Sequence, residues 1–405
     1  MKIQNAKQDI QKLLSCFSEV FSRPSFKIFS SFITGFIQLG KEPHTSSMVQ
    51  SLTYPFLHRS LSSFTRFLGQ NIWALEEVAQ IALEQFFDTL RIKTHSILFL
   101  IIDDTIAQKS GKKIPGCSWY KDHAQNMANV FGHQWVLSAL LYKDFLLPLW
   151  AKLYHPKGAR GCGRFQTKIT LAKGIIRALR LTIPCKLYIL VDSWYWAKEL
   201  AQCCRKYGYH MISQLKSTSV LWMDGKKAKV TTLSTLDSAY REVSLFLYGK
   251  NKTLKIARFV GTIKGLGKVA VVVVKEKRKK TSYLVSTNLH LSAIDIIKYY
   301  AKRWKIEQMI KDLKQRLGLG DYQVRNLQAI QRHAALSLLS YTLLILLKIL
   351  QWLRDQTVSL DISIRLLAFQ VRRHILLKHI TLTLNRMKIE FNQSFLDTYF
   401  EKLWA

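Results

Sequence analysis

The chain has 405 residues, and 61 Lys and Arg against 26 Asp and Glu leave a formal net charge of +35. A chain of this length usually makes two or three domains of roughly 100–200 residues each. Apolar residues make up 48% and aromatic residues 12%, which excludes a disordered or low-complexity chain, because there is ample surface to bury. A charge of +35 repels itself and implies a polyanionic partner, either nucleic acid or an anionic membrane surface.

Cys16, Cys117, Cys162, Cys185, Cys203 and Cys204 form no C-x-x-C pair and no zinc-ligand spacing, which points to a reducing compartment. The opening MKIQNAKQDIQKLL breaks its apolar residues with Lys and Asp and so lacks a signal-peptide core. A cytoplasmic, nucleoid-associated location follows as an expectation. The apolar run Ala334 to Leu347 has 14 residues before Lys348, short of the roughly 20 that span a bilayer, and reads as a buried core helix with no membrane role.

Residues 1–92 read as short helices, with Phe and Leu at three- and four-residue spacing and Pro24, Pro43 and Pro55 between them. His44 to Leu52 and Leu57 to Leu68 are expected as two helices around a turn at Tyr54-Pro55. The second would set Arg59 and Arg66 off its apolar face, as a helix-turn-helix unit needs for phosphates and base edges, although an ordinary bundle with a basic face explains the pattern equally well.

From about residue 95 the period changes. SILFLIID (96–103) reads as a buried strand ending in acid, and WVLSALLY (135–142) with FLLPLWAKLY (145–154) as a hairpin turned at Lys143-Asp144. A helix (165–181), a strand ending in Asp192 (186–192), a helix (193–209) and a strand (210–216) follow. Three strands, helix, strand, helix, strand predict a mixed α/β sheet of ribonuclease-H-like order. Residues 218–288 form a strand-rich insertion, and helical periodicity returns from Ser292. The expected organisation is a helical DNA-binding region (1–92), a catalytic core (93–217 with 289–350), the β insertion (218–288) and a helical C-terminal region (351–405).

The segment YYAKRWKIEQMIKDLKQRL (299–317) is expected as one helix. At roughly 100° per residue, Tyr300, Arg303, Glu307 and Lys314 share an arc of about 60° beside an apolar face of Ile306, Met309, Ile310, Leu313 and Leu317. An ion-pair ladder on a surface helix would also give this pattern. Asp103 or Asp104, Asp192 and Glu307 are candidate oxygen ligands for hard divalent cations, although a lone acid after a strand is commonly a cap or turn residue. Lys298, Lys302, Arg303, Lys305, Lys311, Lys314 and Arg316 crowd around Glu307 in the sequence and place positive charge there. Trp222, in the insertion, could stack on an unpaired base but is expected to pack in the core. His123 and His133, between the first acids and the hairpin, are expected to be structural. Arg372-Arg373-His374 reads as a solvated or DNA-facing basic patch.

Tyr300-x2-Arg303-x3-Glu307-x6-Lys314 resembles, at every spacing, the Y-R-E-K signature of bacterial insertion-sequence DDE transposases. IIDDT (101–105) and LVDSWY (190–195) resemble the two earlier catalytic blocks, and the insertion falls between second Asp and Glu as in that family. The resemblance implies Asp103, Asp192 and Glu307 as ligands of two Mg²⁺ ions (Mn²⁺ being possible), with Asp103 favoured over Asp104. It implies Tyr300, Arg303 and Lys314 as contacts to phosphates of the transposon end. It further implies cleavage at terminal inverted repeats of double-stranded DNA, strand transfer into target DNA, and a homodimer in the synaptic complex. A nuclease of the same core that does not join ends, and an inactive DNA-binding relic, are the alternatives.

Overall fold

The computed structural model describes residues 6–40, 47, 60–111, 113–122, 128–159, 161–223, 225–236, 239–355, 363–387 and 392. Among the described residues four α-helices come first: α1 (Ala6–Ser15), α2 (Arg23–Leu39), α3 (Leu61–Gly69) and α4 (Leu75–Leu90). Ser22 starts α2 by accepting the Ser25 N–H at 3.4 Å, with Pro24 in the first turn, where its missing N–H costs nothing. α3 begins later than the expected 57, so Leu61 stands exposed while Phe64, Phe67 and Leu68 are buried. Arg59 and most of the expected 44–52 helix lie outside the described residues, as does His123.

The central sheet opens with β1 (Ile97–Gln108), β2 (Ser118–Asp122), β3 (Ala128–Tyr142) and β4 (Phe145–Tyr154). The β3–β4 hairpin turns at Lys143-Asp144, as expected. After α5 (Lys168–Ala178), β5 (Lys186–Leu190), α6 (Lys198–Lys206) and β6 (His210–Gln214), the chain enters β7 (Val220–Met223), β8 (Lys226–Lys229), β9 (Arg241–Leu247), β10 (Lys250–Ile263), β11 (Gly267–Glu276) and β12 (Ser282–Ser286). β1 runs antiparallel to β3 and parallel to β5, and β5 runs parallel to β6. This is the mixed α/β arrangement expected of a ribonuclease-H-like core. Strands covered on both faces need continuous apolar runs, which LFLII in β1 supplies.

The insertion strands extend this same sheet. β12 pairs antiparallel with β6, and the order continues through β11 and β10 to β7 and β8, with β9 on β10, for 12 strands among the described residues. The β9–β10 hairpin closes on Tyr248 and Gly249, both with positive φ (54° and 76°), which is the mirror-image two-residue turn that fits strand twist and favours glycine.

The remaining helices are α7 (Ala293–Ala301), α8 (Trp304–Arg316), α9 (Leu327–Arg354) and α10 (Ile364–Arg386). α9 is long and apolar enough to cross a bilayer, with a mean hydropathy of 1.8 over its most apolar stretch, but 78% of that stretch is buried inside the protein. It packs on β4, α2, α3 and α4 and is the core helix expected from its sequence. Arg332 in α9 is 2% exposed. Its guanidinium donates to the carbonyls of Phe67 (3.3 Å), Leu68 (3.1 Å) and Trp73 (2.8 Å) and lies 4.4 Å from the Trp73 ring centroid. A buried cation thus caps the C-terminal end of α3, where carbonyls lack helical partners. Arg372 turns inward to donate to the Ile37 carbonyl rather than standing in a solvated basic patch.

Candidate active site

β1 does not stop at Asp103 but continues to Gln108, and residues 103–106 are all partly exposed. An open cleft of about 860 Å³ wraps around this half of the strand and takes in both Asp103 and Asp104, so strand alternation does not exclude either. Their surroundings separate them. Asp104 Oδ2 accepts from Lys168 Nζ at 2.7 Å and from Gln134 Nε2 at 2.6 Å. Asp103 Oδ1 accepts the Asp104 backbone N–H at 2.9 Å, and its Oδ2 accepts from Arg303 Nη1 at 2.7 Å. Burial pushes Asp103 up to about 6; Arg303 and the Asp104 N–H oppose that shift, while the charges of Asp104 and Asp192 add to it.

Asp192 follows β5 and lines the same cleft. Its Oδ1 accepts the backbone N–H groups of Trp194 (2.9 Å) and Tyr195 (3.1 Å), the turn geometry typical of an acid after a strand. Among the described residues none donates a hydrogen bond to its Oδ2. Tyr195 lies fully buried beneath the aspartates; burial first, then the charges of Asp104, Asp103 and Asp192, hold its hydroxyl far above the usual range.

Glu307 comes from α8. The expected single helix over 299–317 is broken at Lys302-Arg303, where backbone bonds tighten to three-residue spacing: Lys302 N to Tyr299 O at 3.1 Å, Arg303 N to Tyr300 O at 2.9 Å and Ile306 N to Arg303 O at 3.1 Å. No Gly or Pro marks the break, so periodicity could not reveal it. Arg303 stands on this tightened turn. Its Nη2 donates to Glu307 Oε1 at 2.5 Å while Nη1 holds Asp103, so one guanidinium spans two carboxylates 204 positions apart in the chain. Burial opposes the Arg303 charge, but Asp103, Tyr300 and Glu307 outweigh it and raise its pKa.

Of the residues expected to grip phosphates, Tyr300 is partly buried, with burial pushing its hydroxyl up to about 12, and the Arg303 guanidinium lies 6.0 Å from its ring centroid. Lys314 lines the cleft and donates to the Ile106 carbonyl at 2.6 Å, with burial lowering its pKa. Arg66 stands exposed on α3 and is not among the cleft-lining residues. Among the cations expected around Glu307, only Arg303 and Lys314 line the cleft; Lys305 turns to Asp144 (2.8 Å) and Arg316 to Asp312 (2.9 Å). The cleft instead recruits Lys121, Lys168 and Lys216. Trp222 is 44% exposed on β7, not in the core, and does not line the cleft. The cleft tryptophan is Trp194, 48% exposed and 4.8 Å from Lys168 Nζ, which the sequence had offered only as part of the Asp192 block. His133 is buried away from the acids: its Nε2 bonds the Pro115 carbonyl at 2.8 Å and its Nδ1 the Tyr322 hydroxyl.

The donor set suits hard divalent cations, because Asp103, Asp192 and Glu307 offer carboxylate oxygens within one cleft. Among the described residues no three acidic, His or Cys side chains already form a cage for one ion. The fit is that of Asp103 and Glu307, bridged by the Arg303 cation as a stand-in, with Asp192 beside them.

Comparison with curated proteins finds no match. The family described as "Transposase DDE domain" matches residues 96–343, which span β1 through most of α9 and include all three acids. That match covers more than half of the chain, and with it the protein belongs to the DDE transposase family.

Proposed function

We propose that this transposase cuts DNA at the ends of a mobile element by hydrolysis and joins the freed 3′-OH to target DNA, using Asp103, Asp192 and Glu307 as ligands for Mg²⁺, or Mn²⁺ in its place. The observation that carries this reading is the convergence of Asp103, Asp192 and Glu307, from three separate elements, on one cation-lined cleft. Bound there, divalent cations would supply nucleophile activation and charge stabilisation at the leaving oxygen. The chain's own residues position the DNA. Lys121, Lys168, Lys216 and Lys314 line the cleft as phosphate contacts, and Arg303 offers a planar fork suited to two phosphate oxygens. The backbone N–H groups of Trp194 and Tyr195 hold Asp192 by one oxygen in the cleft lining and leave the other for a cation. Outside the cleft, Arg66 on α3, with Arg59 before it, is proposed to contact the DNA of the terminal repeats, and residues 1–92 and 351–405 to serve as helical flanks to the core. Two ends must be brought together, so a homodimer is the expected working form.

The test uses labelled terminal repeats, target plasmid and Mg²⁺. Cleavage with joining supports the proposal; cleavage without joining supports a nuclease; binding alone supports an inactive relic. Glu307→Gln and Asp192→Asn should lower cleavage by more than 100-fold while duplex binding persists, given the several kcal/mol that such sites contribute to the barrier. Unchanged cleavage in either variant refutes the assignment.

A further inference from the structure

Arg303 occupies the one place in the cleft where a cation already bridges two candidate ligands. Its side chain is 18% exposed, Asp103 is 16% exposed, and the two bonds are 2.7 and 2.5 Å. A guanidinium is planar and presents its two Nη groups as a fork, so both carboxylate oxygens are aimed at a single centre of charge. The other acids are served differently: Asp104 by Lys168 and Gln134, Asp192 by two backbone N–H groups. Arg303 is thus the charge shared by Asp103 and Glu307.

From this arrangement we infer that Arg303 is an internal bolt on the acid cluster, holding Asp103 and Glu307 shut until DNA draws the guanidinium away. The inference rests on the proposed ligand roles of those two acids. With Nη1 on Asp103 and Nη2 on Glu307, turning the same two N–H groups onto a phosphate as a bidentate fork takes the guanidinium off both carboxylates. A divalent cation cannot sit between the two carboxylates while the fork does. A phosphodiester entering the cleft offers the same bidentate geometry as a carboxylate. Moving Arg303 onto it frees two ligand oxygens together, so DNA binding and cation binding help each other by thermodynamic linkage. The backbone permits the move: Arg303 lies on the tightened turn between α7 and α8, and three-residue spacing inside a helix commonly marks a hinge. The resting protein is thereby kept from loading cations when no DNA is present.

Mn²⁺ binding to the full chain, read from loss of the free-ion paramagnetic resonance signal, tests this without any turnover. In the absence of DNA, Arg303→Gln should bind Mn²⁺ about tenfold more tightly than the parent chain. A short duplex oligonucleotide should tighten Mn²⁺ binding to the parent by a similar factor and leave Arg303→Gln unchanged. Arg303→Lys, which keeps the charge but reaches one carboxylate at a time, should fall between them and guards against a folding defect in the Gln variant. If Asp103→Asn and Glu307→Gln abolish Mn²⁺ binding while Arg303→Gln binds no tighter than the parent, the ligand assignment stands and the bolt is overturned. If those two acid variants bind Mn²⁺ as the parent does, the ligand assignment fails and the bolt falls with it.

Discussion

His133 should make the fold acid-sensitive, and the direction follows from its two hydrogen bonds. Nε2 faces the Pro115 carbonyl at 2.8 Å and must carry the proton, so Nδ1 is the acceptor for the Tyr322 hydroxyl. The ring is fully buried, and Lys109 stands 3.7 Å from the Tyr322 ring centroid. Burial pushes His133 down to about 4, helped by the Lys109 charge and opposed by the Pro115 bond. An unfolded chain takes up the same proton near pH 6.5, so the unfolded state binds more protons between the two values and stability falls as pH drops through that window. The contribution is complete above about 6.5. At roughly 1.4 kcal/mol per pH unit, the loss by pH 4.5 is about 2–3 kcal/mol. Urea midpoints at pH 7 and 4.5 measure it, with His133→Gln as the reference because both forms share every other titrating group. The parent chain should lose about 2–3 kcal/mol more than His133→Gln over that interval, and equal losses would refute the assignment. The site is involved as well: Lys109 donates to the Gly320 and Tyr322 carbonyls, so this buried post fixes the segment that leaves α8.

Other consequences are equally direct. Arg332→Met removes three bonds from a buried guanidinium and leaves the end of α3 uncapped, so urea denaturation should show a loss of about 2–4 kcal/mol. Lys121→Gln with Lys216→Gln should make the slope of log affinity for duplex against log salt shallower by about 0.9 per lost phosphate contact, with no change if these lysines do not meet DNA. At Gly132 a Cβ would collide with the Ala107 carbonyl of β1, whereas at Gly163 nothing lies within 4 Å. Gly132→Ala should therefore destabilise by about 1–3 kcal/mol and lower cleavage, while Gly163→Ala leaves both unchanged in the same assays.

The sequence was most legible where a pattern is local. The bounds expected for β4, 145–154, are those observed, because Lys143-Asp144 breaks the apolar sequence into two short runs as a tight hairpin turn does. Ile306, Met309 and Leu313 are buried on the face that helical spacing assigns them, while Ile310 lies at the cleft. β2 was missed because SWYKD is short and polar, and its only support is pairing with Ala128–Gly132. The partners of Asp104 were out of reach for the same reason: Gln134 and Lys168 lie 30 and 64 positions away, and only the β1–β3 pairing and the start of α5 bring them together. Spacing placed Tyr300, Arg303, Glu307 and Lys314 on one arc, but an arc carries no information on what faces it. That Arg303 would turn back onto the acids depends on the position of β1 against α8, which no helical wheel contains.

The net charge of +35 takes on a different meaning once the cleft is known. Five acids line it (Asp103, Asp104, Asp122, Asp192 and Glu307) against five bases (Lys121, Lys168, Lys216, Arg303 and Lys314). The surplus therefore lies outside the cleft, where it can draw DNA to the protein without holding a phosphate at the acids. Divalent cations would turn the balance in the cleft positive, and the released Arg303 would add to it at the phosphate itself. The composition suits DNA at the surface, whereas the even count inside leaves phosphate docking and cation binding to help each other, so the two charge distributions do separate work.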